Sequence, residues 1–153
     1  QPLMCRTAYG LPRRMSLGVD FNRLVVLIAV LEKRCGLVLG AQDVYLNAMG
    51  GIRLNEPSAD LAVCAALASA EKMTPVEKYT AVFGEVGLTG EVRGVNCADK
   101  RVNECLKMGF RRVVLPEKNM KACEKFKGKI ELVPVRYVSE MIKALFPKEP
   151  GQA

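Results

Sequence analysis

The chain has 153 residues, half of them hydrophobic and a quarter charged, which suits one domain with a buried core. Its formal net charge is +7 and its pI is near 9.2, which favours polyanionic partners such as nucleic acids or acidic protein surfaces. The absence of histidine excludes a Ser-His-Asp triad, a Cys-His protease site and a histidine metal site. Any catalysis must therefore use Ser, Lys, Asp, Glu or Cys side chains.

The six cysteines include no Cys-x-x-Cys pair, so we expect neither a zinc site nor a thioredoxin-like motif. Most lie in apolar or helical runs, which predicts small core residues in a reducing compartment. The longest apolar run, residues 24–31, is much shorter than the roughly 20 residues of a membrane helix, so we expect a cytoplasmic protein without membrane contact. Because the chain begins at Gln1 without an initiator methionine, we expect it to be part of a longer protein.

The N-terminal third is predicted to form an edge strand over residues 2–9, a cationic loop over residues 10–14 and then a long helix. Asp20 is a favoured N-cap, an apolar stripe follows at helical spacing, and Gly36 is a typical terminator, so the helix should run from Phe21 to Cys35.

The rest of the chain alternates between strand and helix patterns. Strands are predicted over 43–49, which ends in a turn at Gly50-Gly51, and over 91–93, 113–115 and 130–133, and residues 80–86 are β-rich. Helices are predicted over 58–71, 98–108 and 137–146, together with a charged and exposed helix over 117–126. This alternation predicts an α/β domain with a partly parallel sheet. No linker or repeat divides it, so we expect one domain over residues 1–146 and a tail over 147–153.

Several sequence runs together carry a family resemblance. They are Pro12-Arg13-Arg14, residues 18–24, residues 29–34, residues 50–57, residues 83–93 and residues 100–104. Over about residues 5–146 the chain resembles the C-terminal Lon-protease-like domain of the RadA (Sms) family of bacterial DNA repair ATPases. The resemblance implies an α+β sandwich-like fold, similar to domain 2 of ribosomal protein S5. The family's zinc-binding and RecA-like ATPase domains are absent from this chain, which also lacks a phosphate-binding loop, so we expect no cofactor and no bound metal.

The resemblance also suggests where a protease site has been altered. Lon-type enzymes carry Gly-Pro-Ser-Ala-Gly around their nucleophile, and residues 56–60 match this motif with Ser58 at the nucleophile position. Their lysine base falls on Arg101, 43 residues later. Arginine stays protonated and cannot take the serine proton, so we expect no catalytic residue. We expect Ser58 to cap a helix, and Glu56 or Asp60 to form a structural ion pair with Arg101. The alternative is a peptidase in which Lys100 supplies the base.

Basic residues are concentrated in two parts of the chain. Residues 99–129 hold ten Lys or Arg against four acids, and residues 1–54 hold seven against three. Because few aromatic residues are interleaved, we expect contact with phosphates rather than sequence readout. The candidate DNA-binding residues are Arg13, Arg14, Arg23, Arg53, Lys100, Lys121 and Lys125.

The sequence thus supports three functional hypotheses. The favoured one is a non-catalytic scaffold that supports hexameric ring assembly and DNA binding during branch migration. Its implied partners are single-stranded or branched DNA, further copies of the protein, and the RecA-like ATPase core of the same protein. The second hypothesis is a Lon-like serine peptidase that uses Ser58. The third is RNA binding, which rests on fold analogy alone.

Overall fold

The structure is a computed structural model that describes residues 1–7, 11–40, 42–47 and 56–148. The strands are β1 (Pro2–Arg6), β2 (Arg14–Leu17), β3 (Gln42–Asn47), β4 (Thr80–Val82), β5 (Glu85–Val86), β6 (Val92–Arg93), β7 (Arg112–Pro116) and β8 (Glu131–Val135). The helices are α1 (Phe21–Cys35), α2 (Asp60–Glu71), α3 (Ala98–Lys107) and α4 (Val138–Leu145), and short 3-10 helices span Pro57–Ala59, Glu117–Asn119 and Lys121–Phe126. Strands and helices alternate along the chain, as the sequence predicts.

The first sheet has the strand order β1-β3-β2, with β1 antiparallel and β2 parallel to β3. Strand β1 lies at an edge, as predicted. Strand β2 was not predicted, and it places Arg14 in a strand rather than in a loop. With only four residues it offers too little alternation to stand out in the sequence. The predicted turn at Gly50-Gly51 lies outside the described residues.

Helix α1 has the bounds that its sequence predicts, because both of its ends are set by local chemistry. The Asp20 carboxylate accepts a hydrogen bond from the backbone N–H of Arg23 at 2.9 Å, which caps the helix. Gly36 ends it with a left-handed φ of 67°. Leu24, Leu27 and Leu31 are fully buried and attach the helix to the core.

The second sheet is fully parallel, with the order β4-β7-β8, and it divides the core in two. On central strand β7, Val114 packs with the apolar side chains of α1, α2 and α4. Its neighbours Val113 and Leu115 point the other way, toward Val102 of α3 and Phe126. Strand β7 is therefore covered on both faces, as a central parallel strand should be. None of the helices in the described ranges has the length and apolar character needed to cross a membrane.

Residues 117–126 were predicted to form one exposed helix. This prediction is wrong about the type of helix and partly wrong about its exposure to solvent. The segment forms two 3-10 helices, and both Cys123 and Phe126 are buried against the β7 side of the core. Met120, Cys123 and Phe126 recur every third residue, which is the period of a 3-10 helix, so one side of the segment is apolar. The abundant lysines of this segment obscured that spacing.

The prediction that the cysteines lie in the core is correct for some of them only. Cys64 and Cys123 are buried, whereas Cys5 and Cys97 are exposed. Burial raises the pKa of the Cys64 and Cys123 thiols above its usual range, and it does the same for half-buried Cys35. The structure thus divides the thiols into protected ones and accessible ones.

Replacing Cys97 with asparagine should stabilise the domain by about 1 kcal/mol. Cys97 precedes α3 with a left-handed φ of 56°, and its side chain makes no capping hydrogen bond. Asparagine tolerates this left-handed backbone conformation better than cysteine does. Urea unfolding would measure the gain. Cys5→Asn, a change at an exposed strand position, is the control and should give no gain, so equal gains for both variants would contradict the explanation.

Candidate functional site

The predicted nucleophile position lies in the short 3-10 helix that leads into α2. Ser58 is buried, with 7% of its surface exposed. Its carbonyl oxygen accepts a hydrogen bond from the backbone N–H of Gly84 at 2.9 Å, and the Gly84 carbonyl accepts one from Leu61 at 3.0 Å. Gly84 therefore holds the Ser58 segment in place through backbone contacts alone.

One carboxylate oxygen joins the two predicted dyad positions. The Ser58 hydroxyl donates to Glu56 Oε2 at 3.1 Å, and Arg101 Nη1 donates to the same oxygen at 3.4 Å. Arg101 Nε also donates to the carbonyl of Asn96 at 3.2 Å. The predicted ion pair between Glu56 and Arg101 is therefore present, and the structure brings Ser58 and Arg101 together around it.

The prediction that Ser58 caps a helix is wrong. Neither the 3-10 helix that contains it nor α2 has a side-chain capping hydrogen bond at its N-terminus. The physical reason is that the serine hydroxyl is directed to the Glu56 carboxylate, which is a stronger acceptor for it than a backbone group.

In the part of the chain that the structure describes, no lysine is hydrogen-bonded to Ser58. Arg101 remains a cation, so it can hold a carboxylate but cannot remove a proton. Lys100 is exposed, and within the described residues its side chain makes neither a hydrogen bond nor an ion pair. The Arg101 and Glu56 side chains are 31% and 71% exposed, so their ion pair contributes only about 0–1 kcal/mol.

Asp60 pairs with Arg23 instead of Arg101, which corrects the other predicted form of the ion pair. Arg23 Nε donates to Asp60 Oδ1 at 2.9 Å, and its Nη2 donates to Oδ2. The backbone N–H of Val86 also donates to Asp60 Oδ2, at 3.1 Å, and Arg23 Nη2 donates to the Val86 carbonyl at 3.0 Å. Asp60 is only 3% exposed, and its hydrogen bond raises the pKa of Arg23. This cluster ties α1, α2 and β5 together.

A cleft of about 440 Å³ lies beside this cluster. Its lining residues are Val19, Asp20, Arg23, Leu27, Glu56, Pro57, Ala59, Asp60, Val63 and Glu85. Within the described residues, neither Ser58 nor Arg101 is among them. Among the described lining residues, four carboxylates face one arginine, so their field disfavours a polyanion. Across the ranges that the structure describes, no three or more Cys, Asp or Glu side chains are grouped to hold a metal ion.

Some of the predicted DNA-binding residues are bound to other groups of the protein, and others are exposed to solvent. The Arg14 guanidinium donates to the carbonyls of Leu39 at 2.9 Å and Gln42, and Arg23 is held by Asp60, so both have structural partners. Lys125 Nζ lies 3.7 Å from the Asp99 carboxylate. The exposed members are Arg13, Lys100, Lys121 and Lys125, and Arg53 lies outside the described residues.

Residues 39–148 match the family of the Lon protease (S16) C-terminal proteolytic domain, and the chain belongs to this family. The fold expected from the sequence is thereby confirmed.

Among its relatives is the DNA repair protein RadA of Streptococcus pyogenes serotype M3, which is 45% identical over 146 residues, or 95% of this chain and 32% of the relative. RadA of Bacillus subtilis is 46% identical over 143 residues, or 94% of this chain and 31% of the relative. The chain thus spans about a third of the length of the curated relatives it matches, and it is homologous to the C-terminal region of RadA.

Proposed function

We propose that this chain is a non-catalytic scaffold domain of a bacterial, cytoplasmic DNA repair ATPase. In this role it supports assembly of a hexameric ring and contacts single-stranded or branched DNA during branch migration. Its other partners are further copies of the protein and the RecA-like ATPase core of the same protein. The similarity to RadA supports the link to DNA repair.

The observation that carries the non-catalytic role is the shared oxygen of Glu56. A Ser-Lys hydrolase needs an amine that can lose its proton beside the serine hydroxyl. Here Glu56 Oε2 accepts hydrogen bonds from both Ser58 and Arg101, the latter at 3.4 Å. The residues of a hydrolase site are thereby used as a contact between the Ser58 segment and α3.

The charge of the chain supports the DNA-binding role. The net charge is +7, and Arg13, Lys100 and Lys121 are exposed and able to approach phosphates. The acidic cleft beside Asp60 makes that side of the site an unfavourable path for DNA.

Fluorescence anisotropy with single-stranded DNA across a salt series tests this role. We expect an affinity that falls log-linearly as salt rises, because cations released from phosphates drive such binding. Light scattering on the same samples would show whether the protein self-associates. An equal-length RNA serves as the control for nucleic-acid type, and clearly tighter binding of RNA would contradict the assignment to DNA.

The alternative, a serine peptidase that uses Ser58, makes a distinct prediction. The hydroxyl is within hydrogen-bond distance of Glu56, so a carboxylate is the acceptor this alternative would have to use. We expect a serine-directed fluorophosphonate to leave Ser58 unlabelled, because no lysine base is placed beside it. Mass spectrometry of the intact protein would measure the labelling, with Ser58→Ala as the blank. Labelling that is lost in Ser58→Ala would favour the peptidase.

A further inference from the structure

A second cleft, of about 430 Å³, lies where three helices end. Its lining residues are Cys35, Lys72, Ser139, Ile142, Lys143, Phe146, Pro147 and Lys148, and we call it the lysine cleft. It contains three ammonium groups and, within the described part of the chain, no carboxylate. This charge pattern is the opposite of that in the cleft beside Asp60.

The lysines come from separate elements that converge at this point. Lys72 is the C-cap of α2, Lys143 lies in the last turn of α4, and Lys148 follows that helix. Lysines near helix C-termini interact favourably with the helix dipole, which accounts for Lys72 and Lys143 individually. It does not account for Lys148, nor for the convergence of all three on one cleft.

These lysines differ from the paired cations of the 99–129 region, although Lys100 and Lys121 of that region also lack an ion pair among the described residues. Arg101, Arg112 and Lys125 each have a carboxylate partner within 4 Å. Lys72, Lys143 and Lys148 are exposed, and among the residues that the structure describes none of them forms an ion pair. An incoming phosphate would therefore not have to displace an existing partner.

The floor of the cleft is apolar and includes an aromatic ring. Ile142 is 9% exposed, and the half-buried Phe146 packs against the same core. Lysines beside an aromatic ring match the needs of a single nucleic-acid strand, whose phosphates require cations and whose unpaired bases stack on rings. The Ser139 hydroxyl adds a group that can donate or accept a hydrogen bond.

We infer that the lysine cleft is where a single nucleic-acid strand crosses this domain, with its phosphates near Lys72, Lys143 and Lys148 and a base against Phe146. The inference rests on the proposed function and specifies its DNA-binding surface. It places the main contact on none of the candidate DNA-binding residues that the sequence predicted, Lys121 and Lys125 included.

The test compares two variants that remove the same charge. Lys72→Gln/Lys143→Gln/Lys148→Gln neutralises the cleft, and Lys78→Gln/Lys127→Gln/Lys129→Gln neutralises three other exposed lysines. Anisotropy with labelled oligothymidylate should show a loss of about ten-fold or more for the cleft variant. Its salt slope should fall by about 2, since each lost single-strand phosphate contact removes about 0.7. The control variant should change by less than about three-fold.

A further variant separates stacking from charge. Phe146→Leu keeps an apolar side chain but removes the ring, so it should weaken binding about five-fold while leaving the salt slope unchanged. Thermal unfolding of each variant would check that the domain remains folded. Because Phe146→Leu and the triple variant alter different groups, one of them can still be interpreted if the other unfolds.

The outcomes distinguish the inference from the proposed function. If the cleft variant binds like the unaltered protein, while the control or a Lys121→Gln/Lys125→Gln variant loses affinity, the lysine cleft is not the site and the DNA-binding role stands. If the unaltered protein binds no DNA even at low salt, both are overturned. If polyglutamate competes as strongly as oligothymidylate at equal charge, the cleft selects acidic polymers and the assignment to nucleic acid fails.

Discussion

Replacing Asp60 with alanine should lower the free energy of unfolding by about 3 kcal/mol. The change removes the acceptor of Arg23 Nε at 2.9 Å and of the Val86 N–H at 3.1 Å. Arg23 would keep its positive charge, and the buried Val86 N–H would lose its partner. The Arg23 side chain is 35% exposed and can turn partly toward water, so we expect the lower part of the range typical of broken buried pairs. Urea denaturation would measure the loss.

Glu56→Ala is the control, since it breaks a single arginine–carboxylate contact at an exposed position. It also removes the acceptor of the Ser58 hydroxyl, but water can replace an acceptor that is itself exposed. Its carboxylate is 71% exposed, so we expect a loss below about 1 kcal/mol. Equal losses for Asp60→Ala and Glu56→Ala would mean that burial does not decide the energetics of this site.

Gly84→Ala should destabilise the domain by about 2–3 kcal/mol. The glycine has a φ of 155°, and a Cβ atom built there would lie 3.0 Å from Val92 Cγ1 and 3.3 Å from a side-chain atom of Leu61. The backbone would have to move, and it holds Ser58 and Leu61 by hydrogen bonds of 2.9 Å and 3.0 Å. Thermal unfolding would report the destabilisation.

Gly109→Ala is the control for Gly84→Ala, because it introduces backbone strain without a steric clash. Gly109 has a φ of 86°, but nothing lies within 4 Å of a Cβ placed there. We expect a cost of about 1 kcal/mol from the left-handed backbone alone. A Gly84→Ala cost no larger than this would show that the neighbours of Gly84 rearrange freely.

The bounds of a helix or strand could be predicted from the sequence where residues at its own ends determine them. Helix α1 has its predicted bounds because Asp20 and Gly36 act on its ends directly. The 3-10 segment around Cys123 was missed because its lysines dominate the composition, although its apolar residues recur at every third position. Strand β2 was missed because it gains its hydrogen bonds from β3, which lies far along the chain, rather than from a pattern of its own.

The site was predictable only in part. The resemblance to Lon-type enzymes placed Ser58 and Arg101 together, and the Glu56–Arg101 pair follows from their charges. The pairing of Arg23 with Asp60 was not predicted because no motif or resemblance connects the two residues, which the tertiary fold brings together from 37 positions apart. A signal was nevertheless present, since a carboxylate at the start of an otherwise apolar helix needs a partner when that helix is buried.

The sheet topology has a consequence for how the domain folds. Among the described strands, only β5 and β6 pair across a short connection, residues 87–91. Every other strand pair joins segments separated by at least one helix, so a long loop must close before its hydrogen bonds can form. Such non-local pairing should make this mixed α/β domain fold more slowly than a helical bundle of the same size. We therefore expect the 85–93 hairpin to form early, and the ladders of both larger sheets to assemble together in the rate-limiting step.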